Sequence, residues 1–278
     1  MKLKEFLPSL IKMARLKQLD PVKLNQEGEQ DVPVIVSCTS IPSRFHVLDK
    51  TVRSVLNQSC PPKKMLLWLH ERHKNSLPKS LLNMQGHKFE IRFTELDSPH
   101  CKLVPTLLAY PKDIIVTCDD DLIYEDSWLE TLYKSHKEHN NDIIAHIARV
   151  IRYDDHGITQ PYRTWSQERQ ANTSHNALIP MGYGGVLYPS GSLPQMATDT
   201  QLYNQLAPKA DDLWFKAMST LNGTKSRTTS ESVASPYPMP NSQTVSLKKS
   251  NVRQDGNRVQ WEALVNHFPM LKDLTSSV

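Results

Sequence analysis

Asp113-Ile-Ile-Val-Thr-Cys-Asp-Asp-Asp121 is a short, β-branched apolar run closed by three consecutive carboxylates. A run this short with no polar face reads as a strand buried on both sides, the kind found in parallel sheets. Outward from it, Val32-Pro-Val-Ile-Val-Ser-Cys38 and Met65-Leu-Leu-Trp-Leu69 are strands of the same kind, and Phe89-Glu-Ile-Arg-Phe93 alternates. Leu48, Val52, Val55 and Leu56 mark one face of an intervening helix stopped by Cys60-Pro61-Pro62, and Leu77 to Met84 marks a shorter one. Ile143 to Ile151 reads as a further strand. Strands alternating with helices predict an α/β fold with a mostly parallel central sheet and helices on both faces. Ligands bind such sheets beyond the carboxyl ends of the strands. Three polar clusters fall there: Thr39 to Arg44, His70-Glu71-Arg72-His73 and Asp119-Asp120-Asp121.

The chain has 278 residues and a formal charge of +4, with 38% hydrophobic and 22% charged residues. That balance fits a folded enzyme or binding domain rather than a disordered chain. The basic excess is small and spread along the chain, which argues against a nucleic-acid partner. No apolar run approaches the roughly 18 to 20 residues of a membrane span. Without a secretory pattern either, the expected location is cytoplasmic. Cys38, Cys60, Cys101 and Cys118 have no metal or redox spacing and read as reduced thiols. Leu3, Phe6, Leu7, Leu10 and Met13 recur at helical spacing among Lys2, Lys4, Lys12, Arg15 and Lys17. Residues 1–31 therefore form a basic amphipathic segment and linker. Residues 1–19 are able either to dock on the domain or to lie peripherally on the inner face of an anionic membrane.

Three adjacent carboxylates raise one another's pKa unless a cation compensates. A hard divalent ion, Mn²⁺ or Mg²⁺, suits carboxylate oxygens and needs only one or two of them when substrate phosphates complete the shell. The triplet thus points to a nucleotide-diphosphate substrate, against the plainer reading of a solvated turn. Ser127-Trp-Leu-Glu130 reads as a capping box opening the helix behind it. A second helix starts at Asp211-Asp212 and stops at Asn222-Gly223. Carboxylates there cap free N–H groups, or one caps while its neighbour acts as a general base. Between the two acidic sites, Met181-Gly-Tyr-Gly-Gly-Val-Leu-Tyr188 allows close backbone approach to a ligand. It matches no phosphate-loop or dinucleotide fingerprint.

Together, Val34 to Arg44, the helix ending Ser54-Val-Leu-Asn-Gln58, Asp119-Asp-Asp121, Gly182 to Tyr188 and Ala210-Asp-Asp-Leu-Trp214 resemble a GT-A-type glycosyltransferase. The resemblance is to family 2-like enzymes of bacterial surface-polysaccharide biosynthesis. It implies a catalytic domain over 32–225, with 226–278 as a Ser/Thr/Pro-rich loop and C-terminal helix packed on it. The implied reaction is metal-dependent, inverting transfer of a sugar from a nucleoside diphosphate, a UDP-sugar, to a glycan or glycolipid hydroxyl. By resemblance, Asp121 and Asp119 bind the metal, and Thr39, Arg44, Glu71, Lys102, Asp119 and Asp120 hold the donor. Gly184 and Gly185 meet the acceptor. Asp212, with Asp211 beside it, supplies the base, and Asp211 stands where the family more often has Glu. Where the family often ends the second strand with an acidic residue that helps read the base, this chain has His70-Glu71-Arg72-His73, in which Glu71 is the substitute. His267 is a lone helical histidine that would need converging partners to bind metal. The rival readings are a nucleotidyltransferase, whose Gly-rich loop is missing here, and a non-catalytic nucleotide- or carbohydrate-binding protein.

Overall fold

The computed structural model describes residues 3–232, 234–240, 242 and 249–272. In chain order the elements are α1 (Leu3–Lys17), α2 (Pro21–Leu24), β1 (Val32–Thr39), α3 (Phe45–Leu56), β2 (Pro62–His70), α4 (Lys79–Leu82), β3 (Phe89–Thr94), α5 (Val104–Ala109) and β4 (Ile114–Thr117). They continue with β5 (Leu122–Ile123), α6 (Trp128–Glu138), β6 (Ile143–Ala145), β7 (Ala148–Val150), β8 (Gln167–Glu168), β9 (Leu178–Pro180) and β10 (Val186–Tyr188). The last are α7 (Thr200–Leu206), α8 (Asp211–Leu221), β11 (Ser226–Thr228), β12 (Tyr237–Pro238) and α9 (Gly256–His267).

The central sheet has seven strands in the order β11-β6-β10-β4-β1-β2-β3. β1 runs parallel to both β2 and β4, with Val36 opposite Met65 on one side and Val116 on the other. This is the location its unbroken apolar run demands, since Val34, Ile35, Val36 and Cys38 are all buried. Both faces are covered, as alternate residues of β4 reveal. Val116 packs with Leu48 and Val52 of α3 and Leu129 of α6, whereas Ile115 joins Leu213 and Trp214 of α8 and Trp261 of α9. The fold is therefore α/β with a mostly parallel sheet between helices. β10 is the exception, antiparallel to β4 and β6.

Two expectations change. Ile143 to Ile151 is two strands, because the chain leaves the main sheet after Ala145 and β7 enters a small antiparallel sheet with β8 and β9. The break falls at His146, whose Nε2 lies 2.8 Å from the carbonyl of Trp128. The Ser127–Glu130 capping box does not form: Ser127 makes no side-chain cap, and Glu130 accepts from Ser59 Oγ at 2.8 Å.

α1 packs through Leu16 and Met13 against Val47, Ile123 and Met239. The polar run after α2 is pinned down, with Asn25 Oδ1 accepting from the backbone of Lys88 and Phe89. β11 lies beyond residue 225 yet pairs with β6 at the sheet edge. Part of the Ser/Thr/Pro-rich stretch between residues 226 and 244 lies outside the described residues, as does the chain after residue 272. All four cysteines are free thiols.

Candidate active site

The carboxyl end of β4 delivers Asp119, Asp120 and Asp121 beside the loop after β1. Burying them requires cations and donors, and the fold supplies both. Asp120 accepts from Ser40 Oγ at 2.5 Å and from Arg44 Nη1 at 2.6 Å. The other Arg44 terminal nitrogen lies 3.3 Å from Asp121. Thr51 of α3 holds the backbone from behind, its hydroxyl donating to the carbonyls of Asp120 and Leu122. Arg44 is raised above its ordinary value because Asp120 and Asp121 outweigh the burial that opposes its charge. Its single charge does not balance both acids. Burial, and then Asp120, pushes Asp121 up to about 7.

Asp119 faces the other way. Its carboxylate lies 2.9 Å from Lys102 Nζ, and the same ammonium lies 3.0 Å from Asp211 at the start of α8. Lys102, buried in the turn before α5, thus joins the two acidic clusters through one charge. Burial opposes that charge, yet Asp119, Asp211 and Asp212 hold the lysine well above its usual range. The neighbours Asp211 and Asp212 separate in consequence. Asp211 is lowered, because Lys102 and His100 outweigh its burial. Burial, and then the charge of Asp211, pushes Asp212 up to about 8. Asp212 is half-buried, and its Oδ1 accepts from the backbone N–H of Gly182 at 3.0 Å. Two carboxylates whose pKa values are driven apart form an acid–base pair in chemical terms.

Glycine is required at position 182 by proximity: an added Cβ would lie 2.8 Å from both Asp212 Oδ1 and Lys102 Nζ. Gly184 and Gly185, expected to meet an acceptor, are closely packed on their Cβ side. A side chain on Gly184 would strike Ile147, and one on Gly185, with φ +98°, would overlap the Trp128 indole. Trp128 Nε1 donates to the carbonyl of Gly184 at 2.8 Å, which closes this space with protein.

Of the remaining expected residues, Thr39 ends β1 with its hydroxyl donating to the carbonyl of Trp68 at 2.9 Å. Glu71 lies exposed on the turn after β2, and among the described residues no hydrogen bond or ion pair ties it to the acidic clusters. His267 is exposed and packs edge-on against Phe268, and among the described residues it joins no group of ligands able to hold a metal. Sequence inspection missed Tyr124 and Tyr183. Tyr124 accepts from the Asp119 N–H at 2.9 Å and donates to the Tyr183 carbonyl at 3.2 Å, linking the triplet to the glycine-rich turn. The aromatic residue between Gly182 and Gly184 was the available signal.

Among the described residues no group of three or more His, Cys, Asp or Glu side chains is arranged to hold a metal ion. The donor chemistry at Asp119 and Asp121 nevertheless fits a hard divalent cation that takes its other ligands from elsewhere. Asp120 and Asp121 share the single charge of Arg44, and burial, then Asp120, raises Asp121 to about 7, so its ionised form would be favoured by a further cation.

No curated protein matches the chain. Among solved structures it is similar to a CMP:2-keto-3-deoxy-manno-octonic acid synthetase complexed with CTP, at 13% identity over 77% of this chain and 93% of that one, with a TM-score of 0.43. It is also similar to the 4-diphosphocytidyl-2C-methyl-D-erythritol synthase of Anaerococcus prevotii DSM 20548, at 12% identity over 82% of this chain and 95% of that one, TM-score 0.47. A third is S. aureus TarS 1–349 in complex with UDP, at 12% identity over 84% of this chain and 66% of that one, TM-score 0.47. The segment that carries the acidic triplet and the glycine-rich turn, residues 109–190, matches the model of Glycosyl transferase family 2, which bears out the resemblance read from the sequence and the transferase it implies.

Proposed function

We propose that the chain transfers a sugar from a nucleoside-diphosphate donor, a UDP-sugar, to a hydroxyl of a glycan or glycolipid, inverting the anomeric carbon. The Lys102 bridge carries this proposal, because it joins the acidic triplet and the helix-start pair in one site. Asp212 is the general base. Its half-buried carboxyl is oriented by the Gly182 N–H, and a pKa of about 8 suits proton transfer near neutrality. The ionised carboxylate takes the proton of the acceptor hydroxyl while that oxygen bonds to the anomeric carbon. The bond from that carbon to the diphosphate oxygen breaks on the opposite face, and its electron pair leaves with the diphosphate. Asp211, held ionised by Lys102, raises the proton affinity of its neighbour, which serves as the base in the fraction that has already lost its proton to solvent. Arg44 and Lys102 would meet the phosphates of the donor. Asp119 and Asp121 would hold Mn²⁺ or Mg²⁺, which when bound neutralises charge on the diphosphate.

A panel of nucleotide sugars, incubated with and without Mn²⁺, tests the proposal. Released nucleoside diphosphate supports it, and NMR of the fresh product should give inverted anomeric configuration. Release of pyrophosphate identifies nucleotidyl transfer instead, and binding without either product identifies a non-catalytic protein.

Peripheral membrane contact is part of the same proposal. Phe6, Leu7, Leu10 and Ile11 are exposed on α1 beside Arg15 and Lys17, which supports docking of that helix on an anionic surface. Leu7→Ser with Ile11→Ser should abolish co-sedimentation with phosphatidylglycerol vesicles while leaving the melting temperature unchanged. Equal sedimentation of variant and parent would remove the membrane role.

A further inference from the structure

α1 presents two faces. Phe6, Leu7, Leu10 and Ile11 are exposed on one. The other carries Ser9, Met13 and Leu16, which the helical period stacks one above the next. Met13 and Leu16 pack with Ile123, Tyr237 and Met239. Ser9 is fully buried, and its hydroxyl donates to the carbonyl of Pro238 at 2.9 Å. A serine inside a helix commonly bonds the carbonyl four residues back. This one reaches a segment 229 residues away. Lys12 adds an ion pair to Glu125 at 3.0 Å and stands over the Tyr237 ring at 4.9 Å.

The tethered segment leads into the acidic site. β12 pairs antiparallel with β5, Tyr237 opposite Ile123 and Pro238 opposite Leu122, outside the seven-stranded sheet. The next residue, Met239, donates its N–H to the carbonyl of Asp121 at 2.9 Å. Ser242 Oγ donates to the carbonyl of Met239 at 2.8 Å, and the carbonyl of Ser242 accepts from Arg44 Nε at 3.2 Å. With Nη1 and Nη2 already beside Asp120 and Asp121, every guanidinium nitrogen of Arg44 is engaged and its plane is set. A lone pair of two-residue strands does not hold itself in water, and Pro238 brings no N–H to the ladder. The contact with α1 supplies the anchorage that this segment lacks.

We propose that α1 is a positioning element of the donor site: Ser9, assisted by Lys12, anchors Tyr237–Met239 and Ser242, which hold the Asp121 backbone and aim Arg44. That the positioned groups serve a nucleoside-diphosphate donor rests on the glycosyltransferase proposal; the anchorage does not.

The full chain tests this with two readouts. The first is amide exchange at Met239, followed by NMR, which reports the bond to Asp121. Ser9→Ala should speed it about fivefold, the scale of one hydrogen bond, with exchange in β2 and β3 unchanged. The second is donor binding, read by titration calorimetry with UDP in Mn²⁺ and by kinetics with the donor found in the nucleotide-sugar screen. UDP affinity should fall and donor KM rise by about fivefold with kcat little changed, because Asp212 and Lys102 are untouched. Ser9→Thr keeps the hydroxyl and should restore both. Lys12→Met, at a partly exposed site, should move both readouts the same way by less, and it decides the matter if Ser9→Ala does not fold. Unchanged Met239 exchange in a folded variant overturns the proposal. So does faster exchange at unchanged UDP affinity, or a fall in kcat at constant KM, which a merely structural residue would give. A parent that binds no UDP and releases no nucleoside diphosphate fails the glycosyltransferase proposal and removes the donor role with it, while Met239 exchange still decides the anchorage.

Discussion

At the end of β4, Arg44 pairs with both Asp120 and Asp121 and Ser40 donates to Asp120, whereas at the start of α8 Lys102 pairs with Asp211 and the Gly182 N–H donates to Asp212. The first cluster is heavily cross-linked: Asp120 is nearly sealed by its two partners, and only Asp119 is substantially open to solvent. In the second, the lysine favours one carboxylate and the charge of that carboxylate raises the other. Identical side chains therefore take different parts. One set is pinned by several partners where a cationic or phosphate-bound group is expected, and the other splits into one carboxyl held ionised and one that holds a proton. The arrangement follows from where each cation sits, not from the acidic residues themselves.

Four measurements would break or sharpen that contrast. The largest effect is expected at the second cluster. Asp212→Asn should lower kcat for nucleoside diphosphate release by about 10²–10⁴-fold, the usual contribution of a general base, with donor affinity preserved. Near-normal turnover would assign the proton transfer elsewhere. Lys102→Met removes the charge that the clusters share and leaves Asp211 buried without its counterion. A loss of about 3–5 kcal/mol in urea unfolding is expected, and adding Asp211→Asn should recover much of it. Ser40→Ala takes one donor from Asp120 while Arg44 remains, so the cost should be smaller, about 1.5–3 kcal/mol for a hydrogen bond to a charged group.

The smallest effect is a slope. A carboxyl raised from 3.8 to about 8 in the folded state retains a proton that the unfolded chain has lost. Its stabilising contribution is complete below the unfolded value and disappears as pH rises through the folded one. The melting temperature of the parent minus that of Asp212→Asn should therefore decline between about pH 4 and pH 8. A flat difference would mean that Asp212 is not held protonated. In the active enzyme the same group predicts kcat/KM rising toward pH 8.

Much of the architecture was legible because it is local. The strands Val32–Thr39 and Pro62–His70 announce themselves by continuous burial, and α3 by the spacing of Leu48, Val52 and Val55. Strand-end placement then singled out Asp119 to Asp121 and the loop holding Arg44. The boundary at His146 was not legible, because Ile143 to Ile151 has the same strand-forming composition on both sides of it. Only the packing of His146 against α6 separates the two halves. Gly184 and Gly185 illustrate a related limit. Glycine marks a close approach without saying to what, and the approaching groups are Ile147 and Trp128.

The amino-acid sequence alone determined the alternation of strands and helices, the acidic residues and their placement at element ends, because periodicity and end-capping act over a few neighbouring residues. The tertiary structure decided which cation serves which carboxylate: Arg44 reaches Asp120 and Asp121, and Lys102 reaches Asp119 and Asp211. Those pairings join segments far apart in the chain, and charge interactions depend on distance and burial in space, which no local pattern encodes.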